Sequence, residues 1–277
     1  MNLPSHHFDC IHTFDEHGTF YEFISKGNVS TPVVVLVHGV GLDHRLWDYQ
    51  VPSLIQEYSV LRYDILGHGK TRSHPKTKGL DAYVRQLTNL LSKLQISTIH
   101  LVGYSVGGLI AQRFAITQHS RLKTVSFLNS VYRRREKELT AVRKRLALTA
   151  THGAESTVEA AIARWFTPLF ASRNPILMNR IRGRLLTTNL EGYVAAYRCF
   201  VEGDTEIGNE LQHVTCPALA ITGALDVGST PDMCYRMAKD MPRAKVCVIP
   251  NVAHGAPQET PTVVSDALIS FLKASGA

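Results

Sequence analysis

The sequence predicts an α/β protein whose mostly parallel eight-stranded sheet carries flanking helices and an inserted helical cap. Three observations lead to this fold class. Apolar β-branched runs such as Val33–Val37 suit strands that are buried on both faces. These runs alternate with helix-like stretches, as in right-handed βαβ units. The alternation lapses between about residues 131 and 211, where the chain looks helical and is rich in arginine, and then resumes.

The predicted elements follow in chain order. Two strands at residues 8–14 and 19–24 flank a turn and read as a hairpin. Further strands are expected at residues 33–37, 60–64, 98–103, 123–128, 217–223 and 245–249, and helices near residues 44–57, 80–94, 106–118, 231–240 and 260–273. We therefore expect residues 1–130 and 212–277 to form the core domain and residues 131–211 to form a cap, or lid, inserted in it. Such an insertion lies over the carboxyl edge of the sheet, where open α/β folds bind ligands.

Composition narrows the classes of partner. The chain has 277 residues, 44% of them hydrophobic, and a formal net charge of +7. A basic balance is compatible with nucleic acid, a membrane surface or an anionic substrate. No nucleic-acid module is recognisable, the positive charge is concentrated in the cap, and no apolar run reaches transmembrane length. We expect a small-molecule substrate, and the positive charge is compatible with an anionic one. We expect neither nucleic acid nor a membrane as a partner.

Metals and cofactors have no visible motif. The five cysteines include no C-x-x-C pair, which argues against a disulfide framework or a zinc site. No metal-ligand spacing and no dinucleotide glycine fingerprint occurs, so we expect no metal and no cofactor. The stretch from Met1 to Cys10 is polar and lacks the apolar core of a secretory signal. A cytoplasmic monomer or small homo-oligomer is therefore expected.

The strongest chemical signal is Gly103-Tyr104-Ser105-Val106-Gly107, placed between a predicted strand and a predicted helix. G-x-S-x-G in that context is the nucleophile elbow, a sharp turn that raises the serine hydroxyl above the sheet edge. The turn is crowded, so the residues two before and two after the serine must be small, as Gly103 and Gly107 are. We expect Ser105 to be the nucleophile.

The serine needs a base and an acid, and position in the chain selects them. His254 follows the last predicted strand, and Asp226 follows the strand at residues 217–223. Both then lie at the same sheet edge as Ser105, in the chain order Ser, Asp, His. Some related folds place the acid after the preceding strand, but that place holds Asn129 and Ser130, so no carboxylate competes there.

An oxyanion hole is expected from the turn that follows the strand at residues 33–37. That turn reads His38-Gly39-Val40-Gly41, and its glycines let the backbone approach a ligand closely. We expect the amides of Val40 and Val106 to face the developing oxyanion.

These motifs resemble the α/β-hydrolase superfamily over nearly the whole chain. The segment from Arg62 to Ser73 is similar to the D-x-R-G-H-G-x-S segment of that family, with Leu66 in place of the usual arginine. The stretch from His254 to Pro261 resembles the closing motif of the family. His38-Gly39-Val40-Gly41 with Leu46-Trp47, Arg164-Trp165-Phe166-Thr167-Pro168 and Glu191-Gly192-Tyr193 are similar to the 3-oxoadipate enol-lactonase and carboxylesterase branch.

The resemblance implies a serine hydrolase that cleaves an ester or an enol-lactone. We expect Gly39, Tyr104, Arg164, Trp165 and Phe166 to contact the substrate, with Arg164 as the best candidate for an anionic group. Hydrolysis of a C–C bond or an amide, and cofactor-free peracid formation, would use the same triad and remain open. A small-molecule receptor on the same fold also remains open.

Overall fold

The computed structural model describes residues 8–27, 31–73 and 78–276. Residues 1–7, which carry most of the polar N-terminal stretch discussed above, lie outside these ranges. Within them, no helix is both long enough and apolar enough to cross a membrane. The same residues contain no cluster of three or more potential metal-ligating side chains. All five cysteines are free thiols.

One eight-stranded sheet organises the chain, with strand order β1-β2-β4-β3-β5-β6-β7-β8. The strands are β1 (Asp9–Phe14), β2 (Phe20–Ser25), β3 (Val33–Val37), β4 (Ser59–Tyr63), β5 (Ile99–Tyr104), β6 (Leu122–Leu128), β7 (Ala218–Gly223) and β8 (Ala244–Ile249). β1 pairs antiparallel with β2, and β2 with β4, whereas all other neighbours are parallel. The predicted mostly parallel eight-stranded sheet is confirmed.

Helices flank this sheet and connect its parallel strands. They are α1 (Val51–Leu54), α2 (Gly79–Lys93), α3 (Val106–Thr117), α9 (Pro231–Asp240), α10 (Ala256–Glu259) and α11 (Pro261–Ala274), together with five helices between β6 and β7: α4 (Glu136–His152), α5 (Val158–Trp165), α6 (Pro168–Arg173), α7 (Pro175–Thr187) and α8 (Leu190–Ile207). We call the five the helical insertion. Its helix α8 packs on α2 and α3 of the core and on α4 of the insertion.

The central strands are buried because helices cover both faces of the sheet. Residues 34–37 of β3 and the whole of β5 are buried, as expected of parallel strands with apolar side chains on both faces. The carboxyl ends of β3, β5, β6 and β7 therefore meet at one edge. The loops that leave this edge carry Val40, Ser105, Asn129 and Asp226.

One predicted helix differs from the structure. The stretch near residues 44–57 forms a short 3-10 helix, His44–Trp47, followed by α1 at Val51–Leu54. Pro52 lies in the first turn of α1, where its missing N–H costs no helical hydrogen bond, so a new helix begins there.

Candidate active site

Ser105 lies on a strained turn between β5 and α3. Its backbone has φ 57° and ψ −117°, a region that residues other than glycine seldom adopt. A Cβ on Gly103 would lie 2.1 Å from the Gly107 carbonyl oxygen, and one on Gly107 would lie 2.4 Å from the Val37 carbonyl oxygen. Glycine is required at both positions, which is the physical basis of the sequence motif.

His254 and Asp226 form a buried hydrogen-bonded pair. The imidazole Nδ1 lies 2.7 Å from Asp226 Oδ2, and both residues are less than 10% exposed. The loop after β8 supplies the histidine and the loop after β7 supplies the aspartate. The sequence placed these two side chains at one sheet edge, and the structure brings them into contact.

Every lone pair of the Asp226 carboxylate has a donor. Oδ1 accepts from the backbone N–H groups of Gly228 at 2.8 Å and Ser229 at 2.9 Å. Oδ2 accepts from the amide of Asn129 at 2.9 Å and faces His254. Burial acts to raise the pKa of Asp226, but the charge of His254 and these hydrogen bonds outweigh it and lower the pKa. The carboxylate therefore stays ionised although it is buried.

From the sequence, Asn129 was significant only because its place holds no competing carboxylate; its contact with Asp226 makes it part of the site. It is fully buried and has φ 47°, a conformation that asparagine tolerates better than most residues. Its position after β6 was the available signal, because the carboxyl ends of β6 and β7 are neighbours.

Ser105 and His254 line the same cavity of about 470 Å³ between the sheet edge and the helical insertion. Among the described residues, no hydrogen bond joins the Ser105 hydroxyl to the imidazole. In unliganded sites this bond is often long and tightens only when substrate binds. The Tyr104 ring packs 5.2 Å from the His254 ring, which places the imidazole beside the turn that carries Ser105.

The predicted oxyanion donors flank Ser105. Val106 is the first residue of α3, so its N–H has no acceptor inside the helix. Val40 lines the cavity, and no hydrogen bond from its N–H is found among the described residues. The preceding Gly39 packs so closely that a Cβ there would lie 3.2 Å from Ser105 Cβ.

The predicted substrate contacts divide into two groups. Tyr104, Arg164 and Trp165 line the cavity. Gly39 and Phe166 are absent from the described lining; Gly39 packs on Tyr104 and Ser105, and Phe166 packs on Gly255.

Arg145 of α4 also lines the cavity, and the sequence offers no signal that separates it from the other arginines between residues 131 and 211. Its Nε donates to the Tyr197 hydroxyl at 3.0 Å, and Arg164 Nη1 donates to the Ala160 carbonyl at 2.7 Å. Neither guanidinium has an ion-pair partner within the described part of the chain. Burial and the nearby charge of Arg145 lower the pKa of Arg164. The cavity lining thus includes two guanidinium groups without an ion-pair partner, together with Lys137 and Glu138 of α4.

Several other arginines between β6 and β7 form ion pairs with carboxylates. Arg134 is buried and pairs with Asp204 at 2.7 Å. Ion pairs also join Arg133 to Asp240, Arg135 to Asp232, Arg143 to Glu136, Arg182 to Glu159 and Arg184 to Asp43. Arg145 and Arg164 differ from these paired arginines, because they line the cavity and have no ion-pair partner among the described residues.

Comparison with known proteins agrees with this fold. A family model described as the alpha/beta hydrolase fold matches residues 32–259. The chain is similar to (E)-2-((N-methylformamido)methylene)succinate hydrolase of Acinetobacter baylyi (strain ATCC 33305 / BD413 / ADP1), with 30% identity over 87% of this chain and 90% of that protein. It is 27% identical to 3-oxoadipate enol-lactonase 2 of the same organism, over 82% of this chain and 83% of that protein. The crystal structure of the enol-lactonase from Burkholderia xenovorans LB400 superposes with a TM-score of 0.83 at 25% identity, covering 92% of this chain and 97% of that one.

Proposed function

The chain belongs to the alpha/beta hydrolase fold family, and on that premise we propose that it is a serine hydrolase for a carboxylic ester or enol-lactone of a small, carboxylate-bearing substrate. The observation that carries the proposal is the 2.7 Å contact between His254 and Asp226 inside the cavity that Ser105 also lines. A buried acid–base pair next to a serine on a strained turn is the arrangement that activates a hydroxyl group for nucleophilic attack.

The proposed reaction is a two-step acyl transfer. Ser105 Oγ attacks the carbonyl carbon while His254 takes the hydroxyl proton, and Asp226 holds Nδ1–H so that Nε2 acts as the base. The N–H groups of Val40 and Val106 donate to the oxyanion of the tetrahedral intermediate. His254 then gives the proton to the leaving oxygen, the C–O bond breaks, and the same imidazole activates water to release the acid and restore Ser105.

Arg145 and Arg164 support an anionic substrate. A partly buried guanidinium without a carboxylate partner is costly, and two that repel one another cost more. A substrate carboxylate would pair with these guanidinium groups and reduce the repulsion between them, because the planar guanidinium fork matches carboxylate geometry. The names of the relatives from Acinetobacter baylyi, a substituted succinate hydrolase and an enol-lactonase, support the same substrate class.

Amide cleavage is the second candidate, because the substrate in the name of the 30% identical relative contains an N-methylformamido group. Both reactions use an acyl-enzyme, and they differ in the leaving atom that His254 must protonate. Turnover of matched ester, enol-lactone, amide and diketone substrates, each with and without a carboxylate, separates these chemistries. We expect the carboxylate-bearing ester or lactone to give the highest kcat/KM.

The decisive variant is Ser105→Ala. We expect kcat to fall by roughly 10⁴-fold or more, since loss of the nucleophile of a triad has effects of that order or larger. The fluorophosphonate label that reacts with the wild-type protein should also be lost. Ser120→Ala, at an exposed serine beyond the C-terminal end of α3, is the matched control and should keep wild-type kinetics.

Retention of more than about 1% of hydrolysis by Ser105→Ala would contradict a serine mechanism, because residual activity without a nucleophile is far lower. Labelling of the wild-type protein with only one turnover per molecule would instead favour a receptor.

A further inference from the structure

The peptide unit between His254 and Gly255 is fixed at both of its polar atoms. Its carbonyl oxygen accepts from the Tyr104 hydroxyl at 3.1 Å, and its N–H donates to the Trp165 carbonyl at 2.6 Å. Burial raises the pKa of Tyr104 well above its usual value, so this hydroxyl keeps its proton and remains a donor. One partner directly precedes Ser105, and the other ends helix α5 of the insertion.

The side chain of Phe166, the residue after Trp165, packs against the same peptide unit. Phe166 is 3% exposed and lies so close to Gly255 that a Cβ there would be 2.3 Å from the phenyl ring. The Phe166 ring also stacks on Phe170, with ring centroids 5.6 Å apart. Phe166 therefore presses the insertion onto the loop of His254, which explains why it lies outside the cavity lining.

A second tie joins the next residue of the insertion to the helix after His254. Both carboxylate oxygens of Glu259 lie 3.3 Å from the Thr167 N–H, and the Thr167 hydroxyl donates to the same carboxylate. Glu259 ends α10, and its own N–H donates to the Gly255 carbonyl at 2.9 Å. The carboxylate thus connects residues 165–167 of the insertion to the loop that bears the imidazole.

We infer that Thr167 and Glu259 are positioning residues that latch residues 165–167 of the insertion onto the His254 loop and so set the position of the imidazole. The inference rests on the proposed function, because it takes His254 as the base. Rotation of the 254–255 peptide would move the imidazole relative to both Ser105 and Asp226. A displacement of about 1 Å in a reacting group can cost about a hundredfold in rate.

Glu259→Leu tests the latch, because leucine has a similar volume and no acceptor. We expect kcat to fall about ten- to a hundredfold while KM changes less than about threefold. The rate of fluorophosphonate labelling of Ser105 should fall by the same factor, since labelling needs the same base. Glu259→Gln keeps an oxygen that accepts from the Thr167 hydroxyl and should restore most of kcat and of the labelling rate.

Glu159→Leu is the matched control. Glu159 pairs with Arg182 between the exposed faces of α5 and α7, so its loss should leave kcat and labelling unchanged. If Glu259→Leu does not fold, the contrast between Thr167→Val, which loses the hydroxyl, and Thr167→Ser, which keeps it, replaces that measurement.

Wild-type kcat and labelling rate in a folded Glu259→Leu protein would overturn the latch. A Glu259→Gln protein as impaired as Glu259→Leu would also overturn it, because the charge rather than the hydrogen bond would then matter. Failure of the proposed function has a different signature, in which His254→Ala keeps substantial hydrolysis.

Discussion

At the scale of single residues, the site depends on groups that hold the Asp226–His254 pair as much as on the pair itself. Asn129 donates to the Asp226 oxygen that also faces His254, and Tyr104 donates to the His254 carbonyl. These contacts join segments far apart in sequence; Asn129 and Asp226 are separated by 97 positions. A linear motif identifies the turn around Ser105, whereas no local sequence pattern predicts a contact between residues 97 positions apart.

Asn129→Asp should move the acidic limb of the kcat/KM pH profile toward higher pH. The substitution places a second carboxylate at the 2.9 Å distance now spanned by the Asn129 amide and Asp226. A like charge so close raises the pKa of a carboxyl pair, so the pair would bind a proton at a pH where Asp226 alone stays ionised. Aspartate tolerates positive φ much as asparagine does, which leaves the backbone undisturbed.

The measurement is kcat/KM between pH 5 and pH 9, and we expect about a tenfold loss at the acidic end. Asn189→Asp adds the same charge at the N-cap of α8, where aspartate caps as well as asparagine, and serves as the control. An unshifted profile for Asn129→Asp would show that this amide has no part in keeping Asp226 ionised.

At the scale of elements, the insertion meets the core backbone to backbone at one corner. Gly192 in the first turn of α8 lies against Gly67 of the loop after β4, and a Cβ on Gly192 would be 2.4 Å from the Gly67 carbonyl oxygen. Nearby, Leu185 and Tyr193 of the insertion pack on Gly41 of the predicted oxyanion loop. The corner between α7 and α8 therefore forms part of the wall behind Val40.

Gly192→Ala should destabilise the protein although it raises helix propensity. Propensity alone favours alanine by about 1 kcal/mol in a helix interior. The overlap with the Gly67 backbone cannot be relieved by a rotamer change, and overpacking of this kind costs about 1–3 kcal/mol. We expect the free energy of unfolding to fall by up to about 2 kcal/mol, which is the cost of the overlap less the gain in propensity.

Gly183→Ala supplies the control within the same insertion. Gly183 is an exposed position of α7 with no atom within 4 Å of a built Cβ, so alanine should stabilise by about 0.5–1 kcal/mol. Urea unfolding of both variants gives the comparison. If the Gly192→Ala protein is as stable as the Gly183→Ala protein, the close contact between Gly192 and the Gly67 backbone does not contribute to stability.

At the scale of the whole molecule, the central strands of the sheet were predictable because they are buried on both faces. The predicted strand at residues 217–223 corresponds to Ala218–Gly223, and that at residues 245–249 to Ala244–Ile249. The insertion was predictable only as helical, since its helix ends depend on contacts with the core such as that of Gly192 with Gly67. The latch between Thr167 and Glu259 was likewise hidden, because the two residues are 92 positions apart.

The stability of the whole molecule should depend on pH through His44, a buried residue that begins the 3-10 helix His44–Trp47. Its Nδ1 is 2.7 Å from Asp64 Oδ1 and its Nε2 is 3.4 Å from Glu22 Oε1, so both ring nitrogens face carboxylates. Burial acts to lower the pKa of His44, but the two carboxylates outweigh it and raise the pKa from 6.5 to about 9. Arg62 also donates to the His44 carbonyl and to Glu22 without replacing these contacts.

The sign follows from linkage. The pKa of His44 is higher in the folded than in the unfolded state, so the protonated imidazole stabilises the folded protein. This stabilisation is fully present below pH 6.5 and is lost as the pH rises through about 9. We expect the free energy of unfolding to fall across this window by up to about 3 kcal/mol, since one pKa unit corresponds to about 1.4 kcal/mol. His44→Gln should be less stable at pH 6.5 and should lose less stability across the same range.

Urea unfolding at intervals across this pH range, followed by tryptophan fluorescence, measures the slope. His119→Gln, at an exposed histidine, is the control and should keep the slope of the wild-type protein. If His44→Gln also keeps that slope, the stabilisation lost at alkaline pH arises elsewhere, and the imidazole between Asp64 and Glu22 does not carry the proton that the geometry assigns to it.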